Sequence, residues 1–270
     1  MEKTATITEN ATRNRSLIAW VIVLFGLTGL GVLYLIFTGV DQRKDFSPAI
    51  ILIGYAPSLA ALCVVGFSSG AGGVRSLLQP LGKWRVGIQW YALVLLGPLM
   101  LVLLTNAIYL APGGAQPQHW MAFPELGAAL GPLIAGSLGE EIGWRGFAQP
   151  LLQKRYSMFW ASIIIGVLWA TWHLWPIIAP GGLAYTTLLD VIQTYVRLIS
   201  TAIIYGWIYN RTRGSLLLVM LAHAGHNIAV DFFPPATEGA ALLLACLYLA
   251  AAIAVIWTTK AQILTRPGGM

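Results

Sequence analysis

The sequence predicts an all-α, polytopic membrane protein: a bundle of about eight transmembrane helices with a polar intramembrane cavity. Of its 270 residues, 57% are hydrophobic and only 10% are charged, whereas a soluble domain carries about 25% charged residues. The hydrophobic residues form runs that reach the roughly 17 to 25 residues needed for a membrane-crossing helix. The alternating pattern of a transmembrane β-barrel is absent, and helices can satisfy their backbone polar groups in lipid.

Each predicted span is an apolar run bounded by polar or Pro- and Gly-rich turns. The first run follows a polar stretch; it is too long for the apolar region of a cleavable signal and lacks a small-residue cleavage site. The predicted spans are 17–40, 48–69, 88–111, 125–152, 158–178, 184–209, 214–231 and 238–258. Together they predict a single integral membrane domain, 1–270, whose motif-bearing core is about 75–231.

The basic residues between the spans alternate between the two sides of the predicted bundle. Twelve of the sixteen Lys and Arg residues fall on one side, and only Arg43 and Lys44 on the other. Because cytoplasmic loops carry the basic residues, we expect both termini in the cytoplasm. The same bias explains the net charge of +6, so nucleic acid is not an expected partner. The compact chain is typical of a bacterial inner or cell membrane protein.

Polar side chains inside the spans are the candidates for function, because a charge at the bilayer centre costs about 2.5 to 17 kcal/mol, depending on the method. Spans 4, 5 and 7 bring acid, imidazole and amide groups to overlapping depths, given a helical rise of about 1.5 Å per residue. These groups could therefore converge on one cavity. The candidates are Glu140, Glu141 and Arg145 on span 4, His173 on span 5, Asp190 and Arg197 on span 6, and His223, His226 and Asn227 on span 7.

Spacing on span 4 predicts an ion pair beside a separate carboxylate. Glu141 and Arg145 are four residues apart, so they share a helix face and can pair. Glu140 is rotated by about 100° and can point elsewhere. The ion pair by itself could also be a structural contact that fixes helix register.

Spacing on spans 5 and 7 predicts two further clusters. Trp169 and His173 are four residues apart, so the indole can pack against the imidazole and hold its rotamer. His223 and Asn227 share a face in the same way, with His226 beside them as a supporting group or a bystander. His173 taken alone could be a core histidine with its polar atoms satisfied.

Other features predict no chemistry. Asp190 and Arg197 lie two turns apart on one face and are interpreted as a structural pair or a rim contact. Cys63 and Cys246 lie inside apolar runs and are predicted to be buried free thiols. Residues 66–70 fit the G-x-S-x-G pattern of serine hydrolases, but that pattern requires a strand–turn–helix setting and here it ends a membrane helix.

The three clusters together resemble the motifs of the CPBP family, the CAAX-processing and bacteriocin-processing intramembrane proteases, also called the ABI family. The order of the motifs, their placement on separate helices and the eight-helix count all fit that family. Its second motif usually begins with Phe, where this chain has Trp169. The matching motifs are Glu140-Glu141-x-x-x-Arg145, Trp169-x-x-x-His173 and His223-x-x-x-Asn227.

The resemblance implies hydrolysis of a peptide bond within or near the bilayer. Water attack on an amide needs a base, a group that orients the water and donors for the developing oxyanion, and these residue types can supply all three. The implied roles are activation of the water by Glu140 and His173, an oxyanion pocket from His223 and Asn227, and support or proton handling by Glu141 and Arg145.

Alternatives to this interpretation remain at the level of sequence. Glu140, His173 and His223 could instead form a three-ligand zinc site with an open position for water, and the family is often labelled metalloprotease; we favour a metal-free glutamate mechanism. A proton-coupled transporter could use the same groups as a relay, and a non-catalytic bacteriocin-immunity protein could keep the cavity. The expected partners are membrane lipid and a peptide or membrane-protein substrate, such as a lipid-modified or bacteriocin-like one.

Overall fold

The structure is a computed structural model that describes residues 2–42, 45–111, 121, 136–235 and 237–260, with side chains of the first helix from residue 14 onward. Helices dominate these residues and no strand occurs among them, as the sequence predicts. The α-helices and the π-helix are α1 (Glu2–Thr38), α2 (Pro48–Leu78), α3 (Ile88–Leu110), α4 (Gly139–Glu141), the π-helix π1 (Ile142–Ala148), α5 (Gln149–Gln153), α6 (Met158–Trp172), α7 (Trp175–Ile178), α8 (Leu188–Arg211), α9 (Leu216–Phe232) and α10 (Glu238–Thr258).

The predicted polytopic membrane bundle is confirmed. Within the described part of the chain, six segments are long and apolar enough to cross a bilayer, and α9 is a shorter apolar helix. They correspond to every predicted span except the fourth. That span is described only from residue 136, so 125–135 lies outside the described residues, as do Arg43 and Lys44. The six segments are Asn14–Thr38, Pro48–Gly82, Ile88–Leu110, Met158–Ile178, Leu188–Arg211 and Glu238–Thr258.

One span continues past its predicted end, and another is interrupted. α2 runs past the predicted end at 69 to Leu78, with a break at Gly70, whose φ of 60° and ψ of −160° are not helical. The G-x-S-x-G pattern thus lies on a kinked helix and not on a strand–turn–helix. The fifth span ends its first helix at Trp172, with His173 as the C-terminal cap residue, and resumes at Trp175.

Hydroxyl side chains at the N-termini explain where several helices begin. A serine or threonine oxygen that accepts from a free backbone N–H in the first turn stabilises a helix by about 1 kcal/mol. At α8, Thr187 and Asp190 form a reciprocal capping box, in which each side chain accepts from the other residue's backbone N–H. The other caps are Ser47 at α2, Ser157 at α6, Ser215 at α9 and Thr237 at α10.

The segment that carries the acidic pair, Glu140 and Glu141, packs directly against the backbone of α2. A Cβ atom added at Gly139 would lie 2.4 Å from the carbonyl oxygen of Gly54, and one at Gly143 would lie 2.3 Å from that of Pro57. Only glycine permits so close an approach. The buried Trp20 of α1 donates from Nε1 to the same Pro57 oxygen at 3.0 Å. These contacts hold α1, α2 and the segment of Gly139 and Gly143 together next to the acidic pair.

The outer surface of the bundle is apolar, as a lipid-facing surface requires. Ile22, Met100 and Ile253, on three different helices, are all more than half exposed. Cys63 and Cys246 are free, as predicted, but both are exposed, so the prediction that they are buried is wrong. In a membrane, an apolar run has apolar residues on its outer face as well as its inner one, and hydrophobicity alone does not separate the two.

Candidate functional site

The acidic pair lies at the junction of α4 and π1 and is withdrawn from the surface. Glu140 is 5% exposed, and Glu141 and Arg145 are completely buried. Nη1 of Arg145 donates to both carboxylate oxygens of Glu141, at 2.9 and 3.0 Å, so the predicted ion pair is present. Arg145 lies in the π-helix, a form whose single turns are frequent at functional sites. The Glu140 carboxylate is left for other partners.

Glu141 also holds an imidazole from a distant helix. Nδ1 of His223, on α9, is 2.9 Å from Oε1 of Glu141. Because a carboxylate only accepts, Nδ1 carries the hydrogen and donates it. This bond turns Nε2 of His223 toward Glu140, whose Oε1 is 4.0 Å away. That separation is too long for a direct hydrogen bond.

Trp169 of α6 orients the second carboxylate. Its Nε1 donates to Oε2 of Glu140 at 2.5 Å. Its ring centroid is also 5.7 Å from that of His173 and 5.5 Å from that of His223, both edge-to-face. The predicted packing of the indole on His173 is therefore present. The hydrogen bond to Glu140 was not anticipated from sequence.

His173 is connected to Glu140 and His223 through Trp169, which contacts all three. Its Nδ1 is 3.0 Å from the carbonyl oxygen of Trp169, which can only accept, so Nδ1 is the protonated nitrogen. In a neutral ring this leaves Nε2 as an acceptor. The ring also packs edge-to-face on Trp172, with centroids 4.8 Å apart. The backbone bond and the two indoles together fix the orientation of the imidazole.

Polar atoms of spans 4 and 7 converge on Gly136, and the position that a side chain would take at this glycine is called the space beside Gly136. A Cβ atom added there would lie 2.8 Å from Nδ2 of Asn227, 3.8 Å from Nε2 of His223 and 4.0 Å from Oε1 of Glu140. Since glycine has no side chain, this space is left to an amide, an imidazole and a carboxylate. The structure therefore brings together residues that the sequence could place only at similar depths. Gly136 itself was missed, because no motif includes it.

Tyr205 of α8 is a second residue that the sequence did not single out. The guanidinium carbon of Arg145 lies 4.5 Å from the ring centroid of Trp169 and 5.1 Å from that of Tyr205. Two aromatic faces thus stabilise the buried cation in addition to Glu141. The Tyr205 ring is also 6.0 Å from that of His223. The feature of the sequence that could have identified Tyr205 is the presence of a tyrosine in the middle of an apolar span.

His226 belongs to a different network. Its Nε2 is 2.9 Å from Nη1 of Arg197, and its Nδ1 is 2.8 Å from the hydroxyl of Tyr248. Arg197 therefore contacts His226, while the carboxylate of Asp190 bonds Thr187 and the side chain of Gln193. Asp190 and Arg197 therefore do not form a pair, because the helix cap takes the carboxylate, and each residue makes a separate structural contact. The His226 network joins α8, α9 and α10.

The three residues suggested as zinc ligands are not arranged as a ligand set. Within the described ranges, no group of three or more His, Cys, Asp and Glu side chains could hold a metal ion. The spacing of these side chains, and not their hydrogen bonds, therefore departs from a three-ligand zinc site, because a metal-bound histidine also keeps its other nitrogen in a hydrogen bond.

Comparison with known proteins identifies the region that contains this site. Residues 122–229 match a family described as type II CAAX prenyl endopeptidase, Rce1-like. The chain is also 28% identical over 132 residues to CAAX prenyl protease 2 of Methanococcus maripaludis, a match that covers 47% of this chain and 49% of that protein. The chain thus aligns with about half the length of this curated relative. Both matches confirm the resemblance predicted from the three motifs, all of which lie within 122–229.

Proposed function

Because this chain carries the motif region of the Rce1-like endopeptidases of the CPBP family, we propose that it is an intramembrane endopeptidase. The observation that supports this most strongly is the space beside Gly136, bordered by Glu140, His223 and Asn227. A carboxylate, an imidazole and an amide that converge on one position are the groups that water attack on a peptide carbonyl requires.

Glu140 is the proposed general base. Its two carboxylate oxygens have different surroundings, since Oε2 accepts from Trp169 and Oε1 faces the space beside Gly136. One oxygen therefore fixes the group, and the other takes a proton from the attacking water. The water oxygen then bonds to the peptide carbon. When the C–N bond breaks, the proton passes from Glu140 to the leaving amine.

Asn227 and His223 are the proposed oxyanion donors. Nδ2 of Asn227 is an amide donor at any pH. Nε2 of His223 donates when the ring is protonated, and Glu141 balances that charge through its bond to Nδ1. Arg145 in turn donates to the same Glu141 carboxylate. This chain of alternating charges gives Glu141 and Arg145 a positioning role next to the reaction.

His173 is the proposed second group for orienting the water. The bond from its Nδ1 to the Trp169 carbonyl leaves Nε2 able to accept a hydrogen from water. Trp169 contacts both His173 and Glu140, so one indole sets the relative orientation of the two groups. No step of this scheme requires a metal ion.

The substrate is proposed to be a peptide bond close to a lipid attachment. The name of the matching relative is CAAX prenyl protease 2, and the candidate site lies inside an apolar bundle. A bacteriocin-like peptide remains the second candidate.

Replacement of Glu140 by Gln tests the proposal, because the amide keeps the shape and removes the base. The assay follows cleavage of a farnesylated CAAX-tail peptide in proteoliposomes by mass spectrometry. Glu140→Gln should lower kcat by about 10²- to 10⁴-fold and leave the melting temperature of the protein unchanged. Glu238→Gln, an exposed acid in the first turn of α10, is the matched control and should keep full activity.

The same proteoliposomes separate the alternative functions. Undiminished cleavage by Glu140→Gln would show that Glu140 is not the base. If the unmodified protein cleaves nothing but carries protons in a Glu140-dependent way, the transporter interpretation is correct. If it does neither, and instead protects cells from a bacteriocin, the immunity interpretation is correct.

A further inference from the structure

A strongly basic cavity lies outside the site described above. It has a volume of about 800 Å³ and forms where the α2–α3 connection meets the α8–α9 connection. Its charged lining consists of Lys83, Arg85, Arg211 and Arg213. The sequence has no Asp or Glu from 46 to 124 or from 191 to 230, so neither connection contains an acidic residue of its own. The cavity therefore suits an anion.

The two connections are tied together, so the cavity has a defined shape. Nζ of Lys83 donates to the carbonyl oxygen of Arg213 at 2.8 Å, and the hydroxyl of Ser215 donates to the carbonyl oxygen of Lys83 at 2.6 Å. Arg213 has a φ of 57°, which is uncommon for a residue other than glycine.

A second cavity adjoins the first and is apolar. It has a volume of about 280 Å³ and lies between α3, α8, α9 and α10, along residues such as Leu93, Gly97 and Ala251. Leu93 is one helical turn beyond Trp90, which lines the basic cavity. The rings of Trp90 and Trp207, one from each cavity, are in edge-to-face contact at 5.1 Å. The polar and apolar spaces therefore follow one another along the same helices.

We propose that the two cavities together bind one anionic phospholipid of the surrounding bilayer. Its phosphate group lies between Arg85 and Arg213, and one acyl chain lies along α3 beside Gly97. Arginine is suited to the phosphate because its planar fork can donate two parallel hydrogen bonds. Basic pockets between transmembrane helices are sites of lipid headgroup binding, and tryptophan is frequent at the same level of the membrane.

The lipid chain would lie directly behind the candidate active site. Tyr205 lines the apolar cavity, and its ring contacts both Arg145 and His223. A bound chain therefore supports the face of Tyr205 that is turned away from those residues. The lipid site does not depend on the proposed proteolysis, and it can be tested without a cleavage assay.

Quenching of tryptophan fluorescence by brominated lipids tests the site in the full-length protein. The probes are phosphatidylglycerol and phosphatidylcholine with dibrominated chains, added to protein in nanodiscs of unbrominated phosphatidylcholine. Since each surface cation strengthens binding of an anionic lipid by about fivefold, phosphatidylglycerol should bind more tightly than phosphatidylcholine by about 25-fold. The R85Q/R213Q variant should lose this preference. If R213Q disturbs folding, R85Q alone should lower it by about fivefold.

Two control variants make the test specific. K154Q/R155Q removes two exposed cations beyond α5 and should retain the preference for phosphatidylglycerol. Gly97→Leu fills the apolar cavity, where an added Cβ would have only Leu93 near it, at 3.8 Å, and should reduce quenching by both lipids. Equal effects of R85Q/R213Q and K154Q/R155Q, or undiminished quenching in Gly97→Leu, would overturn the proposal. Complete displacement of the lipid by about 10 mM inorganic phosphate would show a site for free phosphate instead.

Discussion

The indole of Trp169 donates a hydrogen bond to Glu140 at 2.5 Å, across 29 residues of sequence and between two separate helices. The aromatic position of the second motif therefore does more than pack against His173. It fixes one oxygen of the acid and leaves the other facing the space beside Gly136. The two motifs are thus joined by a direct bond between their side chains.

Trp169→Phe should reduce the activity without abolishing it. Phenylalanine keeps the aromatic packing but cannot donate to Glu140, and a hydrogen bond to a charged group is worth about 1.5 to 3 kcal/mol. We expect kcat to fall by about 10- to 100-fold, as measured by peptide cleavage in proteoliposomes. Trp160→Phe, on the same helix but with an indole that is 57% exposed, is the control and should keep full activity. An unchanged kcat in Trp169→Phe would show that the indole does not orient Glu140.

Gly136→Ala should block the site with a single methyl group. The added Cβ would lie 2.8 Å from Nδ2 of Asn227, so the amide must move and the space is filled. A displacement of about 1 Å at a reacting group can cost about 10²-fold in rate, and we expect at least that loss in kcat. Gly146→Ala is the control, since its nearest contact would be 3.4 Å from Leu216. Full activity in Gly136→Ala would mean that the substrate does not enter this space.

The Glu141–Arg145 pair should show strong coupling in a double-mutant cycle. Arg145→Met leaves a buried carboxylate without its cation and should lower the free energy of unfolding by about 3 to 5 kcal/mol. The double variant E141L/R145M removes both charges and should recover most of that loss. Its activity should stay low, because His223 loses the acceptor for Nδ1. Additive losses in unfolding experiments, or recovery of cleavage, would contradict this account.

Exhaustive chelation should leave the cleavage activity unchanged. The expectation follows from the proposed glutamate mechanism and from the poor fit of Glu140, His173 and His223 to a three-ligand site. The measurement compares kcat before and after treatment with a strong chelator and assays the protein for bound metal. A loss of activity that added zinc restores would establish a metal-dependent mechanism.

Much of the fold follows from local sequence. The apolar runs predict the helices because their length and composition are set by the bilayer, and the Glu141–Arg145 pair follows from spacing on one helix. Breaks within a span are harder to predict. The kink at Gly70 and the end of α6 at Trp172 depend on individual residues inside apolar segments.

The site could be predicted only in part, since contacts between helices are not encoded in spacing. The sequence places Glu141 and His223 at similar depths, but their hydrogen bond depends on how α9 is rotated against π1. The exposure of Cys63 was misjudged for a related reason. Apolar composition does not distinguish the face of a helix that meets lipid from the face that meets protein.

The glycine contacts beneath the acidic pair make the chemistry sensitive to a helix that carries none of the motifs. Gly139 and Gly143 touch the main chain of α2 at Gly54 and Pro57, so there is no side chain between the two segments to absorb a shift. Since the carbonyl oxygens of α2 make these contacts, a substitution that shifts α2 should move Glu140 with it. A random screen for inactive variants should yield a group of hits on α2 that no motif search would flag.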